Sequence, residues 1–210
     1  MSGDDDLNVD AAYALETPED NKKLYAAWAA TYDADFAEAK DYLFPGHVAA
    51  VFASLGGEGP VLDVGAGTGL VAQEIEKLKN VEIDAIDLSN EMLAVAREKN
   101  LYRHLMQGDL TQNLLIETGT YAAIVSAGTF THGHVGPEAL DELMRSAAPG
   151  ALFVLSNKSD VYETHGFMAK FVSLSGDITG FEVKEFPIYG PGADAAHADD
   201  LGLVISFRKL

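Results

Sequence analysis

The stretch VLDVGAGTGLVA, from Val61 to Ala72, restricts the fold more than any other part of the chain. Val61, Leu62 and Val64 form a short apolar run that reads as a buried strand. Gly65, Gly67 and Gly69 then alternate with Ala66 and Thr68. Glycines at that spacing allow a sharp turn and a close approach of backbone to a ligand. Leu70, Val71, Ile75 and Leu78 follow at helical spacing and predict an apolar helix face. Strand, glycine turn and helix together make a ligand-binding βα unit.

The rest of the chain extends this unit. Further strands are predicted over 81–87, 102–107, 120–126 and 151–156, with helices over 90–99 and 138–147 between them. Ser89 is placed to cap the first of those helices. Pro149-Gly150 is expected to turn the chain into the fifth strand. A helix over 161–174 and strands over 181–188 and 203–209 complete the pattern, with a polar loop between the last two. The fold class is therefore α/β: a doubly wound, seven-stranded, mostly parallel sheet whose late strand pair closes it as a hairpin. Ahead of it, Leu24, Trp28, Tyr32 and Phe36 recur every four residues and predict an amphipathic helix. A turn at Pro45-Gly46 and a second helix are expected next. This aromatic helical cover is suited to lie over a ligand.

Residues 1–20 read as a flexible acidic arm with one short helix around 11–15, and 21–210 as a single domain. Within it, 21–56 is the cover, 60–157 the cofactor-binding core and 158–210 the C-terminal helix and strand pair. The start, MSGDDDLNVD, lacks the apolar stretch of a signal peptide, and no apolar run approaches membrane-spanning length, so a cytoplasmic protein is expected. With no cysteine, disulfide and thiolate chemistry are excluded. The net charge of −19 repels phosphate backbones and anionic lipid. The expected partner is a neutral or cationic small molecule, with no nucleic acid and no membrane. A monomer and a homodimer both accord with the sequence.

Two ligand classes compete for the glycine turn. A dinucleotide such as NAD has G-x-G-x-x-G as its usual signature, whereas this chain has G-x-G-x-G. Asp63 just before the turn would repel a pyrophosphate and attract an amine, which favours a nucleoside carrying an amino acid. Asp87 ends the second strand, where a carboxylate accepts ribose hydroxyls from either ligand. Asp109 ends the third, placed for an adenine amine, with Leu88, Met92 and Leu110 flanking the base.

VLDVGAGTGLVA, AIDLSNEMLAVAR and QGDL in this order strongly resemble the class I S-adenosylmethionine-dependent methyltransferases. The resemblance covers residues 24–157 well and implies a Rossmann-like methyltransferase fold with S-adenosyl-L-methionine as cofactor and S-adenosyl-L-homocysteine as product. It implies that Asp63, Gly65, Ala66, Gly67 and Gly69 hold the methionine part. Asp87, Leu88 and Met92 then serve the ribose and base, Gly108, Asp109 and Leu110 the adenine, and Ser126 the end of the fourth strand. LYAAWAATYDADF looks like the family's lid segment, which would set Tyr25 and Tyr32 over the sulfonium end. The GLVA…SNEMLAVAREKNLYRHL pattern looks like the Williams-Beuren-region methyltransferase-like subgroup. An N-P-P-Y/F element, which would indicate amino groups of adenine or glutamine, is absent.

The expected activity is methyl transfer to a small molecule by in-line displacement. The sulfonium already activates its methyl group, so the protein must position a nucleophile and exclude water. His132 and His134, in the loop after the fourth strand, are the candidate general bases because an imidazole titrates near neutrality. Alone they do not fill a metal's coordination shell, so no metal is expected. Trp28, Thr129, Phe130, Asn157 and Tyr162 are the candidate acceptor-binding residues, with Thr131 and His165 weaker. His47, His104 and His197 are less persuasive. The alternative from another class is a sensor or scaffold that binds the cofactor without transfer. An oxidoreductase and a protein or nucleic-acid methyltransferase are disfavoured by the glycine spacing and the charge.

Overall fold

The structure, a computed structural model, describes residues 24–38, 41–131, 135–191 and 200–210, without the side chains of Asp35, Phe36 and Glu38. The acidic arm, the helix expected around 11–15, His132, His134 and His197 lie outside the described residues. The strands are β1 (Val61–Val64), β2 (Ile83–Asp87), β3 (His104–Gln107), β4 (Tyr121–Phe130), β5 (Ala147–Lys158), β6 (Ile178–Pro187) and β7 (Leu201–Lys209). They form one seven-stranded sheet in the order β3-β2-β1-β4-β5-β7-β6. β1 to β5 run parallel, while β7 is antiparallel to both β5 and β6. The doubly wound, mostly parallel sheet with a hairpin ending is thus the observed architecture.

The helices are α1 (Phe44–Ser54), α2 (Leu70–Leu78), α3 (Asn90–Glu98), α4 (Ala139–Ser146), α5 (Ser159–Thr164) and α6 (Phe167–Ser173). Val48 and Phe52 of α1 and Val71 and Ile75 of α2 pack against Val61, Val125 and Val154 on one sheet face. Leu140 and Leu143 of α4, with Phe167 and Phe171 of α6, pack against Leu62, Ile124 and Phe153 on the other. Both faces are covered, so β1 reads as four consecutive buried residues rather than an alternation. One expected core residue is not there: Leu78 is 56% exposed at the end of α2.

Several boundaries differ from the sequence expectation for identifiable reasons. β4 runs on to Phe130 instead of ending at Ser126, because the Ser126 and Thr129 hydroxyls both donate to the Val64 carbonyl at 2.8 and 3.0 Å. Gly128, at φ +81°, takes up the register shift between Ser126 and Phe130. Pro149-Gly150 lies within β5, where Tyr121 faces Ala147 and Ala123 faces Leu152, so the expected turn is a bulge. The helix expected over 161–174 is broken by Gly166, at φ +83°, into α5 and α6. Pro45 sits in the first turn of α1, where its missing N–H has no intrahelical partner to lose. The aromatic cover is a helical turn at 24–28, a bend, and a π-helix from Asp33 to Glu38, not one continuous helix.

Candidate functional site

The carboxyl ends of β1, β2, β3 and β4 open into a pocket. Its floor is the glycine turn. Gly65 and Gly67 have φ of +63° and +54°, and the Gly65 N–H donates to the Ile86 carbonyl at 2.8 Å. Gly65 also faces β4 so closely that a Cβ there would overlap the Thr129 hydroxyl. Two strand ends and a turn are thereby locked together around the Val64 carbonyl.

Asp87 holds the turn from the neighbouring strand. Its Oδ2 accepts from the Gly67 N–H at 2.7 Å and its Oδ1 from the Ser89 N–H at 2.8 Å. Burial pushes its carboxyl above the ordinary value, and backbone N–H bonds from Ser89, Gly67 and Leu88 pull it back. Each carboxylate oxygen has lone-pair capacity for a second donor, so hydroxyls of a bound nucleoside can be accepted beside these amides. Ser89 caps α3, its hydroxyl accepting from the Met92 N–H at 3.2 Å. Across the same wall Asp109 accepts from the Thr111 N–H and hydroxyl at 2.9 and 2.7 Å. Leu88, Met92, Gly108 and Leu110 line the pocket between the two acids. Gly108 is constrained too, since a Cβ there would come within 2.5 Å of the Ile86 Cδ1.

Asp63 is not in the pocket wall. It is fully buried beneath the turn, where its Oδ2 accepts from the Tyr102 hydroxyl at 2.7 Å while Oδ1 has no hydrogen-bond partner. Burial raises its carboxyl to about 7, against the opposing Tyr102 hydrogen bond, and the Asp87 charge adds to the rise. Tyr102 also abuts Gly69, where a Cβ would approach its ring to 3.0 Å. Ser126 is likewise fully buried, with its hydroxyl committed to Val64. Gly69 is the N-cap of α2, behind the pocket.

Tyr25, Tyr32 and Tyr42 form the roof. Tyr25 and Tyr32 meet edge to face at 6.0 Å, and Trp28 lies against both, 1% exposed. Burial holds the Tyr32 hydroxyl well above its usual range, with the neighbouring tyrosines adding to the rise. Tyr42 stands over Gly128, where a Cβ would come within 2.8 Å of the phenol oxygen.

Among the candidate acceptor-binding residues, Thr129 lines the pocket and the others do not. Trp28 packs behind the roof with Phe44, Ile188 and Tyr189. Phe130 is 1% exposed and packs edge to face on Phe167 at 5.8 Å. Tyr162 stacks on Phe171. Asn157 is buried, and neither polar atom of its side chain has a hydrogen-bond partner. No group of acids and histidines suited to a metal is present among the described residues.

Sequence reasoning missed Tyr42, Thr68, Thr111, Gly128 and Val135, which also line the pocket, and Tyr102 beneath it. Thr68 stood inside the glycine motif, and its polar side chain there was the available signal. Tyr102 read as a strand residue, although β3 starts at His104.

Residues 61–150 match a family model described as a methyltransferase domain. The human protein "Methyltransferase-like protein 27" is 31% identical over 158 residues, 72% of this chain and 63% of its own length. A malonyl-[acyl-carrier protein] O-methyltransferase of Halalkalibacterium halodurans is 32% identical over 114 residues, 50% of this chain and 42% of its own. The chain therefore spans less than two thirds of the length of either relative. Among solved structures, a possible histamine N-methyltransferase of Thermotoga maritima superposes with a TM-score of 0.64 at 16% identity, covering 90% of this chain and 99% of that one. A TehB-like S-adenosylmethionine-dependent methyltransferase of Corynebacterium glutamicum gives 0.63 at 19% identity, covering 90% and 100%. At such identities these two structures establish a shared fold.

Proposed function

We propose that this chain is a class I S-adenosylmethionine-dependent methyltransferase and transfers a methyl group from S-adenosylmethionine to a neutral or cationic small molecule. The observation that carries this reading is the Asp87 carboxylate. It fixes the Gly67 amide at the pocket floor, across from Asp109 and beneath three tyrosines. The residues fit the cofactor. A turn at positive φ without side chains leaves room for its amino-acid part, and the two acids at adjacent strand ends suit a ribose and an exocyclic amine.

When bound, the cofactor supplies a methyl group on an electrophilic sulfonium. The protein's own work is then to bind, orient and dry the site. Gly65, Ala66 and Gly67 offer backbone, Asp87 accepts hydroxyls, and Leu88, Met92 and Leu110 give the base an apolar slot. Tyr25, Tyr32 and Tyr42 exclude water from above, and their faces favour a cation. Described residues lining the pocket include Asp87 and Asp109 but neither lysine nor arginine, which favours amines over carboxylates as acceptors. His132 or His134 serves as base where the acceptor arrives protonated, and Thr129 lines the pocket. The GLVA…SNEMLAVAREKNLYRHL pattern supports the finer placement near the Williams-Beuren-region methyltransferase-like subgroup.

Calorimetry with S-adenosylmethionine, S-adenosylhomocysteine and NAD tests the reading. Binding of the two sulfur nucleosides and not NAD is expected, and a folded sample that binds neither overturns it. A transfer screen over amines, thiols, phenols and carboxylates then separates an enzyme from a binding protein. With an acceptor identified, His132→Ala is expected to lower turnover at near-parental cofactor affinity, and full turnover removes it from the base role.

A further inference from the structure

One carboxylate of the cover reaches two elements of the cofactor-binding core directly and a third through a lysine. Asp33 follows Tyr32 and opens the π-helix. Its Oδ1 accepts from the Thr68 hydroxyl at 2.5 Å, and its Oδ2 from the Lys99 ammonium at 2.5 Å. Lys99, the C-cap of α3, also donates to Gln73 Oε1 of α2 at 2.8 Å. The glycine turn and the end of α3 thus converge on a single side chain of the cover, and Lys99 ties α2 to the same point. Thr68 is 1% exposed, and the side chains of Lys99 and Asp33 are 15% and 31% exposed, so water screens this pair less than the protein's surface pairs.

The chain has only 14 basic residues against 33 acids, and one of them is used here, next to the pocket. The other end of the cover is held differently, by Trp28 packing on Phe44, Ile188 and Tyr189. Trp28 supports the roof from behind, packed on Tyr25 and Tyr32, whereas the polar contact reaches the pocket wall itself through Thr68. A π-helical turn is rare and frequently lies at a functional site, and this one opens on Asp33.

We propose that Asp33 and Lys99 form a latch that clamps the cover onto the glycine turn, making them positioning residues that hold Tyr32 at the pocket and set the residence time of the nucleoside cofactor. The residence-time part rests on the methyltransferase reading above, whereas the docking of the cover does not. Neither residue touches the reacting atoms. The latch acts through Thr68 and Tyr32, so its loss changes dissociation of the cofactor more than it changes global stability.

The test uses the full chain and Trp28, its sole tryptophan. Lys99→Met, Asp33→Asn and the exchanged pair Asp33→Lys with Lys99→Asp are compared with the parent. Trp28 emission reports cover docking, and displacement kinetics report S-adenosylhomocysteine release. Both single variants are expected to shift emission to the red and to release S-adenosylhomocysteine at least about fivefold faster, with melting temperatures close to the parent's. The exchanged pair is expected to recover much of both. Added salt should speed release from the parent and leave Lys99→Met nearly unchanged. Parental release rates in both single variants overturn the latch. So does a fall in melting temperature that accounts for the whole effect, because it marks a structural staple. If the parent binds no S-adenosylhomocysteine, the function above fails, and unchanged Trp28 emission in the variants then overturns the latch on its own.

Discussion

Two aspartates on neighbouring strands have different tasks. Asp87 is the carboxylate proposed to bind the cofactor, with each oxygen on a backbone N–H and room for a second donor. Asp87→Asn keeps the shape but replaces one acceptor oxygen with an amide that faces Gly67 or Ser89 N–H. Cofactor affinity is expected to fall by more than about tenfold, as for loss of a charge-assisted hydrogen bond. Calorimetry on the folded variant checks this, and parental affinity removes Asp87 from the site. Asp63 is a buried acid raised to about 7 from 3.8. Between those values the folded chain holds a proton that the unfolded chain has lost, so stability falls as pH rises through this window. The penalty is full above about 7 and absent below about 4. In Asp63→Asn the carboxamide oxygen would still accept from Tyr102, without a charge. The stability advantage of Asp63→Asn over the parent, followed by melting temperature, should therefore grow between about pH 4 and about pH 7, by on the order of 1.4 kcal/mol per pH unit at most. Parallel curves would show that Asp63 is not a buried acid of this kind.

At the scale of the element, the glycine turn is fixed by its neighbours as much as by its own sequence. Gly65→Ala places a Cβ into the Thr129 hydroxyl and forces a side chain to φ +63°. A loss of about 2–4 kcal/mol is expected by denaturant unfolding, from strain and overpacking together. Adding Thr129→Ala removes the hydroxyl and methyl overlaps but leaves its Cβ at 2.9 Å and the backbone strain in place, so only partial recovery should follow, and complete recovery would place the whole cost in those two overlaps. The same comparison explains what the sequence made legible. β1, the turn, α2 and the Ser89 cap could be read directly because strand, glycines and cap are local signals within a few residues. The cover could not. Its aromatic spacing of four imitated one helix, but the chain bends after Trp28 and changes to a π-helix that has no apolar period of its own. The bonds that decide its position join residues 35 and 66 positions apart, from Asp33 to Thr68 and to Lys99. The length of β4 was hidden similarly, since Ser126 read as the strand's last residue and Thr129 as a loop polar, and both proved to serve a carbonyl 62 and 65 residues earlier.

For the whole molecule, charge and packing act in opposite senses. A net charge of −19 on 210 residues makes the folded state repel itself, and this repulsion acts between exposed groups over distances that salt screens well. The favourable pairs are fewer and closer. Asp84, 2% exposed, takes a two-point contact from Arg103 at 3.0 and 2.8 Å and a third bond from Tyr121 at 2.9 Å. These hold the Asp84 carboxyl below its ordinary value in spite of burial. Short-range pairs in poorly hydrated surroundings lose less to salt than long-range repulsion does. Raising salt from about 0.02 M to about 1 M, where the screening length falls to about 3 Å, should therefore stabilise the chain. A rise of several degrees in melting temperature is expected, each kcal/mol being worth about 2–4 °C at this size. The chloride and sulfate salts of sodium, matched in ionic strength, separate screening from the general salting-out effect: screening predicts similar gains for both. A melting temperature that falls with sodium chloride would mean that the ion pairs outweigh the repulsion, with Asp84–Arg103 and Asp33–Lys99 the first to examine by substitution.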